Sequence, residues 1–454
     1  MSRSEESKIH PAELAEDLAK NLRRRSLDGW EIYLLREQGL AVQAKEQKLE
    51  SLESENTLAL GLRVLRGGRL GFGYCSDFRP AALSRLLEEV LSRARGADLD
   101  PDWNLPEPKK PAPEIPEILD RSFQAKDERE KIRRALVMEK EALDFDPRIK
   151  RVRGCEYQES LEEVWIISST GLDRHAAGTR FSATINAVAE QGKDAQIASE
   201  FDWSFRYDML DTEELGKAVA KKAVDKLGAQ PVSSQKAPVI FSSEVAGEFL
   251  ELLSHALNGE NLAKNKTWLK GLKDQKIFPS QITIIDDGLF PQGPACFPFD
   301  GEGVTSRQKF LTQNGILREF IFDSYYARKM KTATTANARR DQVEIPPSIG
   351  PSNFYLAPGS QSLEQLAAKV DSGMIVEEVL GIHLADEISG EYSLGVSGHW
   401  LLKGQIDRPV RGVAIAGNLR ELFARVRDKG ADLKFYSNCA SPSLLIEEME
   451  ISGS

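Results

Sequence analysis

Hydrophobic positions along the chain fall into two alternating patterns. Residues of about 10 to 24 carry Leu14, Leu18 and Leu22 four apart, with Pro11 in the first turn, which predicts an amphipathic helix. "GWEIYLLREQGLAVQAKEQKLESLESENTLALGLRVLRGGRLGFGYCSDF" (Gly29 to Phe78) alternates apolar and polar residues instead. It reads as antiparallel strands cut at "EQG", "KEQK" and "RGGR", with Leu58–Leu65 pairing Arg69–Cys75 across Gly67-Gly68. A helix follows over Pro80 to Ala94, with Leu83, Leu86, Leu87, Val90 and Leu91 on one face.

Six prolines between Pro101 and Pro116 deny backbone donors to helix or sheet, so this stretch is an extended connector within the N-terminal region. A charged helix is expected over residues 126 to 144. Strand periodicity then resumes through "RIKRVRGCEYQESLEEVWIISSTGLDRHAAGTRFSATINAVAEQG", with a turn at Ser169-Thr170-Gly171. A helix over Thr212 to Leu227 opens with Asp211 and Glu214 at capping-box spacing.

"GAQPVSSQKAP" (Gly228 to Pro238) replaces periodicity with turn residues and marks the clearest boundary. Beyond it, "APVIFSS" reads as a strand leading into a helix from Ser242, with Gly259 as its stop. The remainder is strands and glycine-rich turns, interrupted by one helix over Leu363 to Val370. The expected architecture is α+β. An N-terminal region (1–230) packs helices on antiparallel sheets. A strand-dominated, sandwich- or barrel-like domain (235–454) follows.

Composition narrows the function classes. The net charge of −10 argues against a nucleic-acid binder. The short basic clusters "NLRRR" and "ANARR" (Ala336 to Arg340) read as solvated ends of elements. Cys75, Cys155, Cys296 and Cys439 are far apart, which fits free thiols in a reducing compartment. The charged N-terminus lacks an apolar signal core, and no apolar run is long enough to span a bilayer. A cytoplasmic protein is expected, with no membrane partner.

Chemical motifs are sparse. "GVSGHW" only loosely resembles a nucleophile elbow, because Gly398 directly follows Ser397. "SSQK" lies in the boundary segment, and no Walker loop or dinucleotide fingerprint occurs. The histidines (His10, His175, His255, His383 and His399) are scattered, whereas a zinc site needs three or four convergent donors. The one local candidate is Glu251 with His255, four apart on the helix from Ser242. On a helical wheel Val245, Phe249, Leu252, Leu253 and Ala256 share the apolar face. Glu244, Glu248, Glu251 and His255 share the opposite flank. The simplest reading is an amphipathic helix with that flank in water.

Three C-terminal phrases change the picture: "FDGEGVTSRQKFLTQNGILREFIFDSYYARKM" (Phe299 to Met330), "ISGEYSLGVSGHWLLKGQIDRPVRGVAIAGNL" (Ile388 to Leu419) and "SNCASPSLLIEEMEISG" (Ser437 to Gly453). With the region from Glu31 to Tyr74, their order and spacing resemble the TldD/PmbA family, the modulators of DNA gyrase. The resemblance implies a paired cytoplasmic metallopeptidase acting on unfolded or small peptides, in peptide-antibiotic maturation and antitoxin removal. One branch, TldD, carries a HExxxH motif on the first helix of the C-terminal domain and a cysteine near the C-terminus. The other, PmbA (TldE), has lost the motif.

Aligned this way, the motif lies over "ELLSHA". Glu251 stands at the first histidine, Leu252 at the general base and Ala256 at the second histidine. His255 is one residue out of register. Leucine neither binds zinc nor takes a proton from its water. Cys439 matches the C-terminal cysteine. The chain therefore resembles the PmbA branch, and no cofactor is expected in it. The resemblance implies zinc in a TldD-type partner, with which this chain is expected to form a heterodimer that handles peptides. Two alternatives remain. One is a self-sufficient homodimer with a relocated metal on Glu251, His255 and Cys439. The other is a non-catalytic peptide-binding regulator of a toxin–antitoxin or gyrase system.

Overall fold

The alternating N-terminal segments build one six-stranded sheet from β1 (Gly29–Lys45), β2 (Lys48–Leu65), β3 (Leu70–Cys75), β4 (Ile149–Ser168), β5 (Asp173–Gln191) and β6 (Asp194–Ser204). The structure, a computed structural model, describes residues 10–107 and 110–453. Strand order is β3-β2-β1-β4-β5-β6 and every pairing is antiparallel. The hairpin over Gly67-Gly68 forms as expected, with Leu65 opposite Leu70 and both glycines at positive φ. "KEQK" is likewise a turn, through Glu46 and Gln47 at φ 52° and 58°.

"EQG" is not a break. β1 runs straight through Gly39, which pairs with Glu55 on one side and Ser160 on the other. Pairing on both edges overrides the local weakness of glycine in a strand.

Four helices cover one face of this sheet. Residues of α1 (Pro11–Arg23) and α2 (Pro80–Gly96), among them Leu18, Leu22, Leu86 and Val90, pack on Ile32, Leu34, Leu60 and Leu62. α3 (Glu128–Phe145) and α4 (Thr212–Asp225) pack on Tyr157, Phe181 and Ile185. Gly216 lets α4 approach α3, because a Cβ there would lie 2.3 Å from the Met138 carbonyl oxygen. Only half of the expected capping box forms at α4: Asp211 accepts from the Glu214 amide at 3.0 Å.

Alternate side chains of the strands point the other way. Tyr33, Val164 and Ile166 pack against Phe299 and Val343 of the C-terminal half. The described part of the proline-rich connector lies along this junction. Pro106 accepts from Thr170, and Lys110 accepts from both Arg174 and Thr305 through its backbone carbonyl. Residues 108 and 109 of the connector lie outside the described residues.

The C-terminal half contains a five-stranded barrel made of β7 (Gln235–Phe241) with Ser372–Leu380, Glu391–Leu402, Gln405–Asn418 and Leu444–Ser452. It closes where Ile415 pairs with Ile451. A second six-stranded sheet includes Ile284–Asp287, Gln308–Gln313, Phe354–Leu356 and Cys439–Ser441. Between barrel and sheet lies α5 (Ser243–Ala256), with Phe249 stacked 4.8 Å from Phe241 and edge-on 5.0 Å from Tyr392. This half is more helical than its sequence suggests. Beside Leu363–Ala367, short helices form at Gly259–Ala263, Ser324–Lys329 and Leu419–Ala424. Gly259 starts one of them, and its missing Cβ makes room for Phe322.

A buried ionic cluster joins the two halves. Arg63 of β2 donates to Glu31 of β1 at 2.5 and 3.1 Å and to Glu302 at 2.9 Å. Arg340 pairs with the same Glu31 and donates to the Gly301 carbonyl at 2.7 Å. All four side chains are at most 4% exposed.

Candidate functional site at the motif helix

Ser242 caps α5, accepting from the Val245 amide at 3.3 Å. The helix then buries Val245, Phe249, Leu250, Leu253 and Ala256 between the barrel and the second sheet. Leu252 and Ala256 belong to that core, at 8% and 2% exposure. Glu251 stays at the surface, where Ser437 Oγ donates to it at 3.5 Å. His255 is half-exposed, with Nδ1 3.2 Å from Glu387 Oε2.

The expected solvent-facing flank is only partly in water. Glu248 is half-buried, and its Oε2 is enclosed without a hydrogen-bond partner. Burial, then the nearby carboxylates of Glu244, Glu251 and Glu378, pushes its carboxyl up to about 7. The wheel places it correctly on the polar side. It does not reveal that neighbouring elements crowd that side.

Cys439 begins the strand beneath α5, buried, with its amide donating to Ser437 Oγ at 3.1 Å. Its thiol is held well above the ordinary range, first by burial and then by Glu251 and Asp286, with Arg339 opposing. Asp286 itself is fully buried. It pairs with Lys309 at 2.7 Å and accepts from Asn337 at 3.1 Å and from the Ser352 amide at 2.7 Å.

The fold therefore brings Glu251, His255 and Cys439 to the wall of one cavity of about 220 Å³, together with Ser254, Asn258 and Arg339. A zinc site needs three or four convergent nitrogen, sulfur or oxygen donors. Here burial holds the Cys439 thiol well above its ordinary range, and His255 faces Glu387 through Nδ1. Among the described residues, no group of three or more His, Cys, Asp or Glu side chains is placed to hold an ion.

A second, larger cavity of about 350 Å³ opens between the N-terminal sheet and the C-terminal half. Arg339, Gly350 and Asn438 line both cavities, so the two adjoin. The "ANARR" segment is thus not a solvated end. Arg340 is 2% exposed and Arg339 forms the wall between the cavities. The sequence carries little to announce this. The local sign is Ala336, a non-glycine residue at φ 60°, which bends the chain there.

Residues 234–453 match the PmbA/TldA metallopeptidase C-terminal domain, 121–227 its central domain and 30–94 its domain 1. The chain belongs to this family. It is 29% identical to the metalloprotease PmbA of Escherichia coli, over 94% of this chain and 92% of that one. It is 26% identical to the PmbA homologue of Haemophilus influenzae, over 93% and 92%. Among solved structures, a candidate modulator of a DNA gyrase from Thermotoga maritima superposes with a TM-score of 0.90 at 25% identity, covering 98% of this chain and all of that one. TldE from Thermococcus kodakarensis shares the fold, with a TM-score of 0.88 at 24% identity over 97% and 100%. Among the described residues, no helix is long and apolar enough to cross a membrane.

Proposed function

We propose that this PmbA/TldD-family chain is the non-metal-binding subunit of a cytoplasmic peptidase assembly, completing the peptide chamber of a zinc-bearing TldD-type partner. The observation that carries the reading is the placement of Leu252. A general base for a zinc-bound water must face the metal and accept a proton. Leu252 does neither and is packed into the core beside Ala256. The four free cysteines are compatible with the cytoplasm.

The cleft adjoining the motif cavity supports a role in holding peptide rather than cutting it. Its walls combine aromatic rings with a few polar groups, as ligand sites do. A relocated metal on Glu251, His255 and Cys439 is the competing reading, because these three residues do line one cavity. Among the described residues, no group of three or more His, Cys, Asp or Glu side chains is placed to hold an ion, which weighs against it.

Co-expression with a TldD-type chain tests the reading. The expected result is a 1:1 complex whose peptidase activity exceeds that of either chain alone. A TldD-type chain that is fully active by itself and never co-purifies with this one would overturn it.

A further inference from the structure

Four arginines stand at or near the large cleft, and they divide into two kinds. Arg63 and Arg340 have their carboxylates supplied by the fold. Arg180 and Arg339 do not: among the described residues neither has a carboxylate within ion-pair distance. Arg180 donates to the Pro294 carbonyl at 2.6 Å, with its guanidinium 6.0 Å from the Trp203 ring. Arg339 donates to the Pro351 carbonyl at 3.3 Å. A guanidinium offers five N–H donors, so most of each fork is unused. Arg340, on the same wall, keeps Nη1 buried without a partner.

We propose that this cleft is a carboxylate-binding site, in which Arg180 and Arg339 grip a carboxylate borne on a peptide with an apolar or aromatic residue beside it. Guanidinium groups bind carboxylates through paired, charge-assisted hydrogen bonds. The aromatic walls (Tyr33, Phe201, Trp203, Phe297 and Tyr436) receive the neighbouring side chain. A cavity of about 350 Å³ is of a size for one or two residues rather than a folded domain.

The remaining charges favour a single negative charge. Glu162 and Asp300 also line the cleft and would repel a dianion such as phosphate. Asp300 is already saturated, accepting from the amides of Glu302, Val304 and Ala338 at 3.0, 2.9 and 3.1 Å. Burial, then Glu302, raises its carboxyl to about 7. Arg180 is exposed, yet the crowding around it lowers its proton affinity; Glu162 counters this, and the neighbouring Arg339 adds to it. A bound carboxylate offsets the Arg–Arg repulsion.

The peptide portion of the ligand rests on the functional reading above, whereas the carboxylate portion stands on the cleft itself. The carboxylate has two sources, a peptide's C-terminus or an acidic side chain. Three N-acetylated tetrapeptides of one apolar sequence separate them: the free acid, the C-terminal amide, and an amide ending in glutamate. Each is titrated calorimetrically into the full chain, alone and in complex with a TldD-type partner.

The free acid is expected to bind about tenfold or more tightly than the plain amide. Arg180→Gln and Arg339→Gln should each erase that difference. Arg180 is an exposed residue, so its variant should keep the parent melting temperature. If the glutamate amide matches the acid, side chains serve as a source too. Equal binding of acid and plain amide, a difference that survives both substitutions, or no binding of any peptide overturns the proposal. An active 1:1 complex indifferent to the carboxylate would sink this inference alone. Arginine-dependent acid binding without any complex would sink the functional reading alone.

Discussion

Arg63 Nη1 lies 2.9 Å from Glu302 Oε1, and both side chains are buried. The contact ties β2 of the N-terminal sheet to a residue 239 positions later. Glu302 also accepts from the Ser324 amide at 3.0 Å, so its loss strands several donors. Glu302→Ala should therefore cost roughly 3–5 kcal/mol, the usual penalty for unpairing a buried charge. Urea denaturation measures this. A cost below about 1 kcal/mol would mean that the cluster is not a structural clamp between the halves.

Glu248 makes stability fall as pH rises. Its folded carboxyl titrates at about 7, above the ordinary value of 4.5, so the folded state binds the extra proton between those values. Below about 4.5 the group is neutral in both states; above about 7 its ionised, half-buried form costs stability. Glu248→Gln should thus stabilise the protein at pH 8 by roughly 1–2 kcal/mol, after allowance for solvent screening, and by little at pH 4. Thermal melts of parent and variant at the two pH values check the sign.

The hairpin at Gly67-Gly68 and the apolar face of α5 were readable because each depends on neighbours in sequence. Gly39 was misread as a break because what keeps it in a strand is pairing to Glu55 and Ser160 on both edges. The burial of Glu248 was hidden because a helical wheel shows which side is polar, not what packs against it. Arg340 was least legible: its partner Glu31 lies 309 positions away. That Leu252 can be no ligand follows from its residue type alone, whereas the placing of the family motif over it comes from the resemblance.

The cysteines should be sluggish in the native state. Cys75 is pushed up to about 11, and Cys155 and Cys296 to about 12, in each case chiefly by burial, while Cys439 sits well above the ordinary range. The thiolate is the reactive form, so a disulfide reagent at pH 8 should titrate few thiols natively and four in denaturant. Cys75, the only half-exposed one of the four, should react first. Rapid native labelling of Cys439 would contradict its description as an enclosed thiol.

Elemental analysis of the chain, purified without a histidine tag and dialysed against zinc-buffered solution, tests the central claim most directly. The account expects substoichiometric zinc, unchanged by Cys439→Ala or His255→Ala. One equivalent of zinc that disappears in either variant would contradict it and make the Glu251, His255 and Cys439 cavity a metal site.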